Sequence, residues 1–439
     1  MSQEGKLSLS AAILINLNIM IGAGIFINTV KLSSWAGALG CFMYPLIGLL
    51  LLPLIISIAK LVNLYPEAGF YGYGAQVIHP FVGFMSSWVY FTGKLASVML
   101  MIHVALSLLH QMIPLLHAIP VIVLDVFVLL FFVMLNTVNA KTGSVIQVWF
   151  MVLKIIPIFF TIFAGLTLFS WRNYACVNMN FAGIPSALPL VLYAATGFES
   201  ACSLSCQIRN AQKNGPLAIF ISYAIMLAIA FTYQFAFYGA LGNSLIGLSH
   251  YTEIFPMLLG TLLPGCGAAK LMIQIILYCA IAASALGSAY GILFSNPWNL
   301  YSMARYGHTF FKSLFTSLNK HGAPVYCVIA EGLLGLVYLF VSRGDQLSLQ
   351  QAAALACSIT YTLSVLSLVV LVFRKHNIGI RWWIPLLALC NCFILLGACI
   401  RNFIYFGVQP LLLFAVLTGF GVIMYLYTSR CNAKGTPAQ

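Results

Sequence analysis

Apolar residues run along this chain in stretches separated by short clusters of Gly, Pro, Asn and charged side chains. A transmembrane helix needs about 20 predominantly apolar residues. By that measure the stretches centre near residues 20, 48, 96, 128, 157, 194, 229, 284, 332, 362, 391 and 416, and they predict about twelve spans. The longest polar connections, residues 304–322 and 242–266, are too short to fold alone, so 1–439 reads as a single membrane domain. The expected fold class is all-α and integral to the membrane.

Two of these stretches are interrupted. Residues 9–30 would cross as one helix, yet Gly22 and Gly24 sit at its middle in Ile21-Gly22-Ala23-Gly24-Ile25-Phe26. Glycine weakens a helix there, and in hydrocarbon each freed N–H or C=O costs several kcal/mol unless it lines a polar cavity or binds something. One reading is a discontinuous helix that holds a ligand. The other is a packing notch, because small residues also let membrane helices approach closely. The sixth stretch favours the first reading: Tyr193-Ala194-Ala195-Thr196-Gly197-Phe198-Glu199-Ser200 again places small residues at mid-depth, now followed by a carboxylate. Two broken helices five spans apart fit an inverted repeat, 9–170 against 183–375, with 382–428 as two peripheral helices. A broken helix offers bare N–H groups at one half-helix and bare carbonyls at the other, which suits a ligand carrying both charges.

Composition excludes a water-soluble domain. Of the residues 62% are hydrophobic and 6% charged, with a mean hydropathy of +1.02. The first stretch is too long for a signal-peptide core and has almost no basic n-region, so it is expected to stay in the mature chain. The net charge of +13 lies scattered in short loops with no aromatic-interleaved patch, which argues against nucleic acid. Sorted by loop, thirteen Lys and Arg, Lys6, Lys60, Arg305 and Arg374 among them, fall on the side of the N-terminus. Five fall opposite: Lys31, Arg172, Lys270, Arg343 and Arg401. This bias places both termini in the cytoplasm, with the chain in the plasma membrane or, in a bacterium, the inner membrane. Most of the twelve cysteines lie inside apolar stretches and read as small buried hydrophobes. Cys202 and Cys206 share a helix face without a third ligand, so no metal site and no cofactor is expected.

Four segments, in this order and spacing, resemble the amino acid–polyamine–organocation (APC) permeases. They are Ile21 to Phe26; Tyr65-Pro66-Glu67-Ala68-Gly69-Phe70-Tyr71-Gly72-Tyr73; Gly197-Phe198-Glu199-Ser200; and Leu300-Tyr301-Ser302-Met303-Ala304-Arg305-Tyr306-Gly307, with Asn319 to Pro324 beyond it. The resemblance implies the leucine-transporter-like fold, a 5+5 inverted repeat with helices 1 and 6 broken, and an amino acid or related amine moved by alternating access. It implies that the backbone at Gly22, Ala23 and Gly24 takes the substrate carboxylate. The carbonyls of Met20, Tyr193 and Thr196 would take the amine, with the Tyr193 ring over the substrate or serving as an ordinary core aromatic.

Ionisable groups at membrane depth each need a partner and a purpose. Lys154 stands ten residues into span five, about 15 Å deep. Proton-coupled members of the family carry a lysine there, where sodium-coupled relatives of the fold bind an ion. That resemblance makes Lys154 the candidate coupling residue, the alternative being a permanent strut on the carbonyls of span one. Glu199 would gate, bind a proton, or act as a fixed acceptor tying span six to its neighbours. Lys94, midway along span three, would repel a cationic substrate side chain or pair with Glu199 or an anionic substrate. Asp125 and Glu331 read as helix-contact residues, and His103 and His110 as packing residues.

The function expected is secondary active transport of amino acids, proton-coupled, with neutral amino acids favoured and the proton and the lipid bilayer as its other partners. An amino acid/polyamine exchanger is the alternative within transport. From other classes come a non-transporting amino acid sensor and an intramembrane enzyme, though the enzyme would need a nucleophile–base or metal motif that this sequence lacks.

Overall fold

A backbone in hydrocarbon must satisfy its polar groups within its own segment, and this chain does so with helices. The computed structural model describes residues 6–137, 140–175, 181–248, 250–375, 378–406 and 409–433. Among them the one piece of β pairing is an isolated bridge between Leu7 and Ile208. The first interrupted stretch becomes α1 (Leu9–Met20) and α2 (Gly24–Ala36), followed by α3 (Met43–Leu64), the short α4 (Gly69–Val77) and the long α5 (Pro80–Met112). After α6 (Val121–Leu135), α7 (Ala140–Thr167) and the single turn α8 (Arg172–Ala175), the second interruption divides α9 (Ile184–Ala195) from the turn α10 (Ser200–Ser203). Then come α11 (Ala211–Leu241), α12 (Ile254–Leu262), α13 (Gly267–Ser295), α14 (Pro297–Arg305), α15 (Lys312–Phe315), α16 (Val325–Ser342) and α17 (Gln346–Arg374). The chain closes with α18 (Trp383–Phe406) and α19 (Gln409–Ala433).

Every one of the twelve centres read from the sequence falls inside a helix. Nine of the described helices are long and apolar enough to cross a bilayer, and α1 with α2, bent by 44° at the break, makes a tenth. The other two are shorter. Helix α6 has 15 residues, about 22 Å at 1.5 Å per residue, and α9 is short because its span stops at the second break.

Burial orders the helices from the inside out. The most apolar windows of α5 and α17 are 67% and 72% buried, against 33% for α18 and α19. So α5 and α17 form the middle, both packing against the broken spans or their neighbours, while α18 and α19 lie outside, against α3, α9 and α17 and against α5, α16 and α17. Two buried carboxylates serve helix contacts as expected. Asp125 of α6 meets His103 Nδ1 of α5 at 2.7 Å, and Glu331 of α16 accepts from Asn296 Nδ2 at 2.8 Å. His103 and His110 part company: the ring of His110 lies 5.1 Å from that of His117.

Candidate functional site

The two helix breaks touch. Helix α1 ends at Met20, and the Ile21 amide bonds back to the Leu17 carbonyl. Helix α9 ends at Ala195, and the chain turns through Thr196 and Gly197 before α10. Gly197 takes φ +122°, a conformation open to glycine and strained for other residues, and a Cβ there would lie 2.8 Å from Met20 Cγ and 2.9 Å from Ile19 Cγ2. Asn16, on α1, fastens the two spans: its Nδ2 donates to the Phe198 carbonyl at 3.0 Å and its Oδ1 accepts from Ser200 Oγ at 2.5 Å.

On one side of the span-one break lie carbonyls, on the other amides. The carbonyls of Asn18 and Ile21 accept from Lys154 Nζ at 2.7 and 2.6 Å. Ser288 Oγ of α13 donates to the Asn18 carbonyl at 2.6 Å, and Ser284 Oγ to that of Ile21 at 3.2 Å. The fully buried amino group of Lys154 therefore sits at the negative end of α1, where the helix dipole favours its charged form. Across the break the amides of Gly24, Ile25 and Phe26 open α2 and have no acceptor among the described residues. The Ala23 N–H donates to the sulfur of Met101 at 3.2 Å.

Glu199 closes the span-six break from its other end. Its Oε2 accepts from the Gly197 amide at 2.7 Å, and its Oε1 accepts from Lys94 Nζ at 2.7 Å and from Tyr90 Oη at 3.2 Å. Both charged side chains are buried, Lys94 at 2% exposure and Glu199 at 0%. Of the alternatives for Lys94, pairing with Glu199 is the one the structure adopts, so the lysine's charge is already met inside the protein.

Met20, Gly24, Lys94, Tyr193 and Thr196 all line one cavity, joined by Ser97, Met101 and Ile292. Its volume is about 10 Å³, the space of a single water. The Tyr193 ring stands over Gly24, 3.4 Å from where a Cβ would be, and its hydroxyl has no hydrogen-bond partner among the described residues. Of the three carbonyls expected to take an amine, that of Met20 accepts from the Gly22 amide and that of Tyr193 from both Thr196 N and Oγ1. The Thr196 carbonyl accepts nothing among the described residues. Gly22 and Ala23 flank this cavity, Lys154 braces it from behind, and Glu199 holds its far wall.

A vestibule of about 560 Å³ lies beyond α2, between Lys31, Gln111, His250 and Asp345. On the face of the N-terminus the space between Glu67, Ser203, Asn299 and Arg305 is about 40 Å³. There the chain before α1 is strapped to the chain after α10, with the Leu7 amide on the Gln207 carbonyl at 2.8 Å, the Arg209 amide on the Leu7 carbonyl at 2.9 Å, and Lys6 Nζ 3.3 Å from Glu67 Oε1.

Met101, Ser284, Ser288 and Asn16 were not among the residues the sequence singled out. Ser284 and Ser288 left a signal, two hydroxyls one helical turn apart in an apolar span. Met101 left none.

The family model described as amino acid permease matches residues 7–425. The chain is similar to the b(0,+)-type amino acid transporter 1 of Mus musculus, 22% identical over 429 residues, covering 91% of this chain and 84% of that protein. It is also similar to the DL-alanine permease SerP2 of Lactococcus lactis subsp. cremoris, 24% identical over 346 residues, covering 73% and 71% respectively.

Proposed function

Because this chain belongs to the amino acid permease family, within the APC transporters, we propose that it is a secondary active transporter that carries a neutral amino acid across the plasma membrane by alternating access, coupled to protons. The observation that carries this reading is the meeting of two helix breaks on one cavity, lined by Gly24, whose amide is bare, and by Thr196, whose carbonyl accepts nothing among the described residues. The amides of Gly24 and Ala23, and that of Gly22 once it releases the Met20 carbonyl, receive the carboxylate, and the carbonyl of Thr196, with those of Met20 and Tyr193 when their present donors let go, takes the amine. Spans one to five and six to ten act as an inverted repeat that rocks around this point.

Two relatives support the substrate class, one an amino acid transporter and the other an alanine permease. The excess of Lys and Arg in the loops on the side of the termini supports cytoplasmic ends, which makes the 560 Å³ vestibule the outer mouth and the Lys6–Glu67 strap part of a closed inner gate. Lys154 is the coupling residue. While protonated it holds the carbonyls of Asn18 and Ile21; on losing its proton it can donate less to them, and span one is freer to move.

The test is uptake into proteoliposomes. A gradient with the outside acidic is expected to drive accumulation of a neutral amino acid above its external concentration, and an ionophore that collapses the gradient should abolish it. Uptake that needs internal amino acid and ignores the gradient would replace proton coupling with exchange; saturable binding with no flux would leave a sensor.

A further inference from the structure

We propose that the thioether of Met101 occupies the seat of the substrate carboxylate in the closed cavity, and that by filling this seat it restricts the transporter to amino acids with small side chains. The inference rests on the reading above, that the span-one amides bind a carboxylate.

Three observations converge on it. The Met101 sulfur accepts the Ala23 N–H at 3.2 Å. A Cβ placed on Gly22 would lie 2.9 Å from Met101 Cε and 3.0 Å from the sulfur, so the end of the side chain lies along the edge of the break, against Gly22 and the Ala23 amide. Met101 is 4% exposed, held in place by the helices around it.

A thioether is a weak acceptor. It sits where the N-terminal amides and dipole of α2 favour an anion. A carboxylate competes for that place with a stronger, charge-assisted bond. Methionine is unbranched and turns about three side-chain bonds, so it can leave without moving the backbone.

That exchange sets the size limit. Once a carboxylate has taken the seat, the remaining room is the cavity of about 10 Å³ between Ser97, Tyr193 and Ile292. One water's space is less than an amine, a Cα and any side chain need together, so Met101 must turn clear of the cavity to admit them, and glycine, alanine and serine ask for the least of that movement, branched and aromatic side chains for the most. The displaced methionine has to go somewhere, and the space it takes is lost to the substrate as well.

The experiment measures equilibrium binding of alanine and leucine to the purified full-length protein, to Met101→Ala and to Met101→Leu. The wild type is expected to prefer alanine by at least about tenfold. Met101→Ala, with no acceptor to displace, should bind alanine about three- to tenfold tighter and accept leucine nearly as well. Met101→Leu fills the space without sulfur and should keep the preference for alanine. In protein labelled with 13C at the methionine methyls, the Met101 resonance, assigned by its loss in Met101→Leu, should shift on saturation with alanine. A Met101 signal unmoved by alanine, or an alanine-to-leucine ratio unchanged in Met101→Ala, overturns the proposal. If Met101→Ala does not fold, the methyl signal of the wild type decides alone. A wild type that binds no amino acid overturns the permease reading itself, and does so before any variant is compared.

Discussion

Glu199→Gln is expected to destabilise the protein by about 3–5 kcal/mol and to abolish amino acid binding. Glutamine keeps one oxygen, enough for the Gly197 amide or for Tyr90, which now bond to opposite oxygens, and it removes the charge that faces Lys94 at 2.7 Å. Lys94 is then left as a buried ammonium without a counter-charge, and breaking a buried pair from one side costs far more than replacing both partners. The same argument makes Lys94→Met damaging alone. The double variant Lys94→Met, Glu199→Gln should recover much of the lost stability, because neither charge is then stranded. A double-mutant cycle on unfolding in detergent checks this. Single variants as stable as the wild type would mean that the pair does not hold the break.

Lys154→Ala is expected to remove gradient-driven accumulation altogether while leaving measurable counterflow of substrate. The ammonium supplies two of the hydrogen bonds on the Asn18 and Ile21 carbonyls, and the hydroxyls of Ser284 and Ser288 supply others to the same oxygens. The serines remain after the substitution, so the end of α1 keeps acceptors satisfied and the site survives. What disappears is the one group there that can gain or lose a proton. Lys154→Arg should not restore coupling, since a guanidinium is larger and stays charged at every pH the protein meets. Full accumulation against a pH gradient in Lys154→Ala would take this residue out of the mechanism.

The elements of this account that the sequence disclosed are those written in short-range pattern. Gly22 and Gly24 inside an apolar run announce the first break, the Ala194 to Gly197 run announces the second, and counting residues along span five places Lys154 at the depth of the first. The paired Lys94 and Glu199 were readable as two charges in need of partners, though only as one option among several. What lay beyond reading depends on contacts between distant parts of the chain. Met101 is an ordinary apolar residue in an apolar helix, and nothing local reveals that its sulfur meets an amide 78 positions away. Asn16 is a single polar residue whose value comes from reaching the Phe198 carbonyl and Ser200 across 182 and 184 positions. The spans themselves were legible as apolar lengths. That α6 would be shorter than a full crossing was not, because the apolar Leu115 and Leu116 before it belong to a separate turn.

The central claim is that bare peptide groups at two helix breaks grip both ends of a zwitterion. It is tested most directly by equilibrium binding of alanine, of alanine amide, in which the carboxylate is blocked, and of propionate, in which the amine is missing. The account predicts that alanine binds saturably and that each analogue, having lost one of its two charge-assisted anchors, binds about tenfold to hundredfold more weakly. Alanine amide or propionate binding as tightly as alanine would contradict it.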